Sequence, residues 1–171
     1  KKKFTIEEIP LLVRGGALLP LYKTVSNISK MSLKEIVYDF YPSKNRRNED
    51  FFFEDDGVTT GYQVGVYRRN DYVTYFDEKE NCYVVILRKP MNQIDDGLTV
   101  RKAFLKMHVL DGEFIERVTI NDENVKVTRH DHKKKVVPFM NKDFASDSKT
   151  ATIKFRQSIK QEYVIKLFVR K

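Results

Sequence analysis

Apolar side chains recur at every second position through most of this chain. Tyr163, Ile165, Leu167 and Val169 alternate with Val164, Lys166, Phe168 and Arg170, and Ala103, Leu105, Met107 and Val109 alternate with Lys102, Phe104, Lys106 and His108. The same period governs 36–40 and 151–156. Successive side chains of an extended strand point to opposite faces, so period two predicts strands with one core face and one wetter face. Phe114 to Ile120 and Val125 to Thr128, separated by Asn121-Asp122-Glu123-Asn124, predict a β-hairpin, because Asn and Asp tolerate turn geometry. Tyr83 to Leu87 is apolar without interruption and predicts a central strand covered on both faces. No segment carries an apolar stripe of three helical turns. Ser32 to Val37 comes nearest, and alternation fits it better.

Turn signals punctuate these runs at Gly15-Gly16, Pro42-Ser43, Asp56-Gly57, Asp95-Asp96-Gly97 and Asp111-Gly112. The pattern predicts an all-β chain of β-sandwich architecture. The stretch from Lys89 to Gly97 is polar, holds a Pro and a Gly, and divides the chain nearly in half. It is the best internal boundary, so the expectation is two consecutive antiparallel β-sandwich domains, residues 1–90 and 91–171. Lobes of that size are marginal alone and are expected to lean on each other or on a neighbour. Lys133-Lys134-Lys135 and the stretch from Asp143 to Lys149 read as exposed loops.

Composition adds limits rather than a function. The 171 residues are 41% hydrophobic and 33% charged, too apolar for a disordered chain. A formal net charge of +8 permits contact with phosphates, but Lys is spread along the chain as on solvated strand faces. Cys82, in Asn81-Cys82-Tyr83-Val84-Val85, has no partner for an internal disulfide and reads as a small buried hydrophobe. No apolar run approaches the length of a membrane span, and no signal peptide is visible. The chain opens Lys1-Lys2-Lys3-Phe4-Thr5, as though in the middle of something larger.

Candidate chemistry is sparse. Glu54-Asp55-Asp56-Gly57 is the densest acidic cluster. Its carboxylates could ligate calcium, but EF-hand spacing is absent. The other reading is an acidic turn whose Asp side chains bond their own backbone. As a glycosidase pair, Asp55 and Asp56 are poorly placed, since adjacent strand carboxylates point to opposite faces. His130-Asp131-His132 puts two imidazoles on one face of an extended segment, beside Lys133 to Lys135, which oppose cation binding. Val13-Arg14-Gly15-Gly16 lacks the spacing and the following helix of a phosphate loop. Tyr62, Tyr67, Tyr72 and Tyr75 are candidates for a sugar platform, although Trp is absent. Interleaved Tyr and Lys could grip single-stranded nucleic acid, but no compact basic stripe or recognised motif supports that.

Two segments carry a family resemblance. Ile9-Pro10-Leu11-Leu12-Val13-Arg14-Gly15-Gly16-Ala17-Leu18-Leu19-Pro20 resembles the segment that follows the catalytic barrel in family 31 glycoside hydrolases. Phe51-Phe52-Phe53-Glu54-Asp55-Asp56-Gly57 and the residues to Tyr62, with Gly65-Val66-Tyr67 after them, resemble that family's acidic-turn strand, and Tyr41-Pro42 matches the end of the strand before it. The resemblance implies a proximal sandwich up to about Pro90 and a distal one from about Met91. It implies that the retaining α-glycoside chemistry lies in a (β/α)₈ barrel outside these residues, since a barrel of that kind needs about 250 residues. The barrel is then the expected partner, with an oligosaccharide as a second one. No catalytic, metal or cofactor residue carries over. Arg14, Gly15, Gly16, Glu54, Asp55, Asp56, Gly57, Tyr62, Gly65 and Tyr67 carry over as scaffold. Secreted, periplasmic and endoplasmic-reticulum parents all fit. The residues alone leave open a free-standing carbohydrate-binding module and a basic protein- or nucleic-acid-binding domain.

Overall fold

The computed structural model describes residues 12–27, 31–130 and 150–170. Among them the chain runs through β1 (Leu18–Leu21), β2 (Glu35–Phe40), β3 (Asn48–Glu54), β4 (Arg68–Asp77), β5 (Cys82–Leu87), β6 (Met91–Asn92), β7 (Val100–His108), β8 (Phe114–Ile120), β9 (Glu123–Asn124), β10 (Val127–His130), β11 (Thr150–Ser158) and β12 (Tyr163–Arg170). Among the described residues a 3₁₀ turn, Gly61–Val64, interrupts them. One sheet has the order β1-β2-β7-β11-β10, and the other β3-β4-β5-β12-β8-β9, with β6 beside β4. The pairings are antiparallel except β2 with β7, which run parallel from Glu35↔Lys102 to Phe40↔Met107.

The alternation does what the physics of a pleated strand demands. Ile36, Tyr38 and Phe40 of β2, Ala103, Leu105 and Met107 of β7, and Ala151 and Ile153 of β11 face inward from one sheet. Tyr83, Val85 and Leu87 of β5 and Ile165, Leu167 and Val169 of β12 answer them from the other, in one continuous buried cluster. Phe40 and Tyr83 meet edge-on between the sheets, ring centroids 6.3 Å apart. Fully burying one such Leu, Ile or Phe side chain is worth about 1.5–3 kcal/mol. The expected central strand is β5, which lies between β4 and β12 and is buried except at Ile86. Cys82 is buried at its start. Leu33 and Lys34 form a turn and β2 begins at Glu35, so the nearest helical candidate is extended.

The all-β sandwich is as expected, but the boundary near residue 90 is corrected by the strand pairing. Each sheet draws strands from both sides of that point: β1 and β2 join β7, β10 and β11, while β3 to β5 join β8, β9 and β12. The inward faces of either half have no complete partner within that half, so both halves build one core. The polar stretch before β7 is a pinned crossover rather than a linker. Gln93 N–H donates to Tyr67 C=O at 3.0 Å, Ile94 and Leu98 are buried, and Asp96 holds Arg68.

The expected hairpin is half right. Asn121 and Asp122 take positive φ of 49° and 67° and turn β8 into β9. The return strand is only Glu123–Asn124, however. Val125 and Val127 pack on the core, and β10 crosses to pair with β11 in the other sheet. The Ile9-Pro10-Leu11 start of the first family-like segment, the two Lys- and Asp-rich loops, Asp131 and His132 lie outside the described residues.

Candidate functional site: a charged seam and an acidic turn

Glu54, the last residue of β3, does not belong to the exposed turn that follows it. It is 3% exposed and lies between two guanidinium groups from opposite sheets. Arg101 of β7 donates from Nη1 to Oε1 at 2.5 Å, and Arg68 of β4 approaches Oε2 from Nη1 at 3.4 Å. Asn70 Nδ2 donates to the same Oε2 at 2.9 Å, and the Tyr22 hydroxyl donates to Oε1. Arg101 also donates to Gln157 Oε1 and Tyr38 Oη, each at 2.8 Å. Arg68 is completed by a two-oxygen contact with Asp96 at 2.8 and 2.9 Å and by Asn92 Oδ1 at 2.9 Å.

Two carboxylates thus balance two guanidinium groups, and the Arg68 and Arg101 side chains are wholly out of water. Removing charges from water costs several kcal/mol per ion, offset only when geometry is good and the remaining hydrogen-bonding groups are filled. Here Asn70, Asn92, Gln157 and Tyr38 fill them. Burial would lower the Arg101 pKa, but Tyr38 and Glu54 more than offset it, so Arg101 stays charged. Burial, aided by the Glu54 charge, pushes the Tyr22 phenol far up, and burial likewise raises Tyr38. Both remain protonated donors. The arrangement is a polar seam that ties the sheets at one end of the apolar core.

The acidic turn itself is built as a self-bonded loop. Asp55 Oδ1 accepts from Gly57 N–H at 2.8 Å. Asp56 Oδ1 accepts from Val58 and Thr59 N–H at 3.0 and 2.9 Å, and its Oδ2 from the Thr59 hydroxyl at 2.6 Å. Hydrogen bonds from the Thr59 side chain, then from the Thr59 and Val58 amides, hold the Asp56 carboxyl below the usual carboxylate range. Gly57 sits at φ 64°, a left-handed conformation that L side chains enter at a cost. The 3₁₀ turn after it closes on Gly65 at φ 88°, which donates to Tyr62 C=O. Tyr62 stays exposed and Tyr67 half-buried. Beside the turn is an open cleft of about 260 Å³ lined by Lys34, Asp55, Asp56, Ile94, Asp96 and Leu98.

The Gly15-Gly16 pair forms another turn of the scaffold, with the exposed Arg14 at its start. Arg14 C=O accepts from Ala17 N–H at 3.1 Å, and Gly16, at φ 89°, donates to Tyr41 C=O at 2.6 Å. Thr74 Oγ1, from the opposite sheet, donates to Gly16 C=O at 2.5 Å. Arg14, Glu54 and Tyr62 are therefore not one site: they serve a strand entry, the charged seam and the exposed turn respectively. Nor do the tyrosines form one platform. Tyr72 points into the core, Tyr75 carries Arg47 over its ring, and Tyr67 packs against Phe53.

A further cluster lies on the outer face of β2 and β7. Asp39, 1% exposed, is 2.9 Å from His108 Nε2 and 3.4 Å from Lys106 Nζ, and accepts from Tyr41 Oη at 3.1 Å. Burial pushes Asp39 up, but the His108 contact and the Lys106 charge outweigh it and leave the carboxyl below its ordinary value. Burial and Asp39 raise the Tyr41 phenol to about 12.

No family model matches the chain. An α-xylosidase of Saccharolobus solfataricus is 40% identical to it over 65 residues, 38% of this chain and 9% of the relative. In fold, the chain is similar to the GH31 dextranase of Flavobacterium johnsoniae, with a TM-score of 0.66 at 17% identity, covering 91% of this chain and 19% of that one. The α-1,4-glucan lyase of Gracilariopsis lemaneiformis has a TM-score of 0.53 at 14% identity, over 90% of this chain and 16% of that one. The chain therefore spans less than a tenth of the curated relative and about a fifth or less of these solved chains. The chain is thus similar in sequence to a stretch of an α-xylosidase, and in fold, over nine-tenths of its length, to a GH31 dextranase. The fold accompanies a hydrolase in one case and a lyase in the other, so it does not specify a reaction.

Proposed function

We propose that this chain is a non-catalytic accessory region of an α-glucosidase-like family 31 glycoside hydrolase. It supports a catalytic (β/α)₈ barrel that lies outside these residues, while the barrel cleaves terminal α-glucosidic bonds in carbohydrates. The observation that carries this reading is one of proportion. Nine-tenths of the chain superposes on less than a fifth of a GH31 dextranase, so the shared fold is a minor part of that enzyme.

The chemistry of the acidic cluster supports the same reading. Glycoside hydrolysis uses two carboxyl groups flanking the scissile bond, about 5–9.5 Å apart. Glu54 is buried between Arg68 and Arg101, and Asp55 and Asp56 are engaged by their own turn. Carboxylates so committed hold a scaffold rather than a sugar.

Two measurements test the reading. An antibody raised against these residues is expected to detect, in the source organism, a polypeptide larger by at least a barrel's worth of chain. The separate 171-residue chain is expected to leave aryl α-glucosides and maltose intact. Turnover by the separate chain would overturn the proposal. A native band at the size of this chain would do so too, and would favour a free-standing carbohydrate-binding module, to be tested by titrating maltooligosaccharides.

A further inference from the structure

The outer face of β3, β4 and β6 carries apolar groups that the sandwich does not use. Phe51 and Phe53 alternate with inward residues on β3 and remain 45% and 54% exposed. Phe53 packs edge-on against Phe51 at 5.3 Å and against Tyr67 at 4.8 Å. Arg69 lies over the Phe51 ring at 4.2 Å, and opposite it in register stands Met91, 57% exposed. Side chains of this size normally gain free energy by leaving water, and a contiguous group of them marks an interaction surface.

β3 is also the terminal strand of its sheet among the described residues, seven residues long. A terminal strand turns backbone donors and acceptors to its outer side, and on β3 the Phe51 N–H is held by Asp50 Oδ1 at 2.8 Å. Among the described residues the aromatic group thus lies on the terminal strand of its sheet.

The chemistry of the surface selects its occupant. A sugar platform needs a flat ring face, but the rings meet at 62° and 71° and offer ridges and notches instead. A polyanion needs free cations, but Arg69 is bonded to Asp71 at 2.8 Å and Arg47 to Glu49 at 2.8 Å, leaving the patch electrically balanced. An apolar patch rimmed by self-paired charges fits a protein surface with an apolar centre.

We infer that the Phe51–Phe53–Tyr67–Met91 surface on and beside β3 is where this domain docks against the remainder of its own longer polypeptide. The inference rests on the accessory-domain reading above. The relative proportions support that occupant over a second copy, because four-fifths of the GH31 dextranase chain lies outside the region matched here.

The test compares the longer polypeptide with the separate 171-residue chain by hydrogen exchange. Docking is expected to slow exchange of the 49–54 amides by about tenfold or more in the longer polypeptide. Equal exchange in the two would overturn the inference while leaving the accessory reading standing, since that reading depends on the immunoblot. The double variant Phe51→Ser/Phe53→Ser is expected to abolish the added protection, whereas Val100→Ser, an exposed apolar position on β7, is expected to retain it. Circular dichroism of the separate double variant checks that the sandwich stays folded. Self-association of the separate chain that the double variant abolishes, without protection in the longer polypeptide, would assign the surface to a second copy instead. Resonance shifts of Phe51 and Phe53 on adding maltoheptaose, again without that protection, would assign it to sugar.

Discussion

Arg101 and Glu54 stand 47 residues apart in sequence, on opposite sheets, and form a fully buried ion pair. The pair is the centre of the charged seam, with Arg68, Asn70, Tyr22, Tyr38 and Gln157 around it. Its value to the fold is asymmetric. Replacing such a cluster wholesale with apolar groups can be neutral, but deleting one member leaves a partner charge uncompensated.

Glu54→Ala is therefore expected to destabilise the chain by about 3–5 kcal/mol. Urea unfolding measures this. Adding Arg101→Met is expected to recover part of the loss, because it removes one orphaned charge. A loss below about 1 kcal/mol would show that water replaces the carboxylate.

The acidic turn is expected to contribute less, and through backbone geometry. Gly57→Val forces a branched side chain to φ 64° and is expected to cost about 1–2 kcal/mol. Asp56→Ala removes the acceptor for two amides and the Thr59 hydroxyl, and is expected to lower the melting temperature. An unchanged melting temperature in both variants would mean the turn has no part in folding stability.

Asp39 gives the fold a pH dependence of defined sign. Its folded pKa lies below the ordinary value, so the folded state favours the ionised form. The associated stability is complete above the unfolded pKa of about 3.9 and is lost as pH falls through the lower folded value. Asp39→Asn is expected to cost about 1–3 kcal/mol at pH 7, through weakened bonds to His108 and Tyr41. The gap to the parent chain is expected to narrow at pH 3. Urea midpoints at the two pH values decide it, and a gap constant with pH would remove Asp39 as the source.

Cys82 is expected to be inert in the folded chain. Burial, with Glu80 and Asp77 nearby, pushes its thiol up to about 11. A thiol-specific disulfide reagent at pH 8 is expected to label it only after denaturation. Rapid labelling of the folded chain would show that the start of β5 opens.

Much of this fold was legible because strand parity and burial are the same fact. The alternations at 36–40, 103–109, 151–156 and 163–169 became β2, β7, β11 and β12, and the uninterrupted run at Tyr83 became the central β5. The self-bonded Asp turn was legible because Asp and Gly have few other reasons to stand together. The seam was not. One sign of it was present: Arg101 shares parity with the inward Ala103, Leu105 and Met107, so a strand continuing to residue 101 had to bury a guanidinium. Nothing local said which of many carboxylates would answer it, because Glu54 reaches it only through the packing of two sheets. The single core was hidden for the same reason. A polar, Pro-containing stretch near residue 90 looks alike whether it links two domains or crosses between two sheets.

The parallel pairing of β2 with β7 has a consequence for how the chain comes to exist. Lys102 reaches Glu35 across 67 residues, and β5 then waits for β12 on its other side. Contacts so distant along the chain make folding slow, since the loop must close before the contact rewards it. On the ribosome, β1 and β2 emerge as a pair, and the other edge of β2 stays open until β7 follows. The sandwich closes only when its last strand, β12, has left the exit tunnel. Phe52 of β3 and Tyr83 of β5 reach Tyr38 and Phe40 earlier, but the core that Ile36, Tyr38 and Phe40 share with β12 stays incomplete until then.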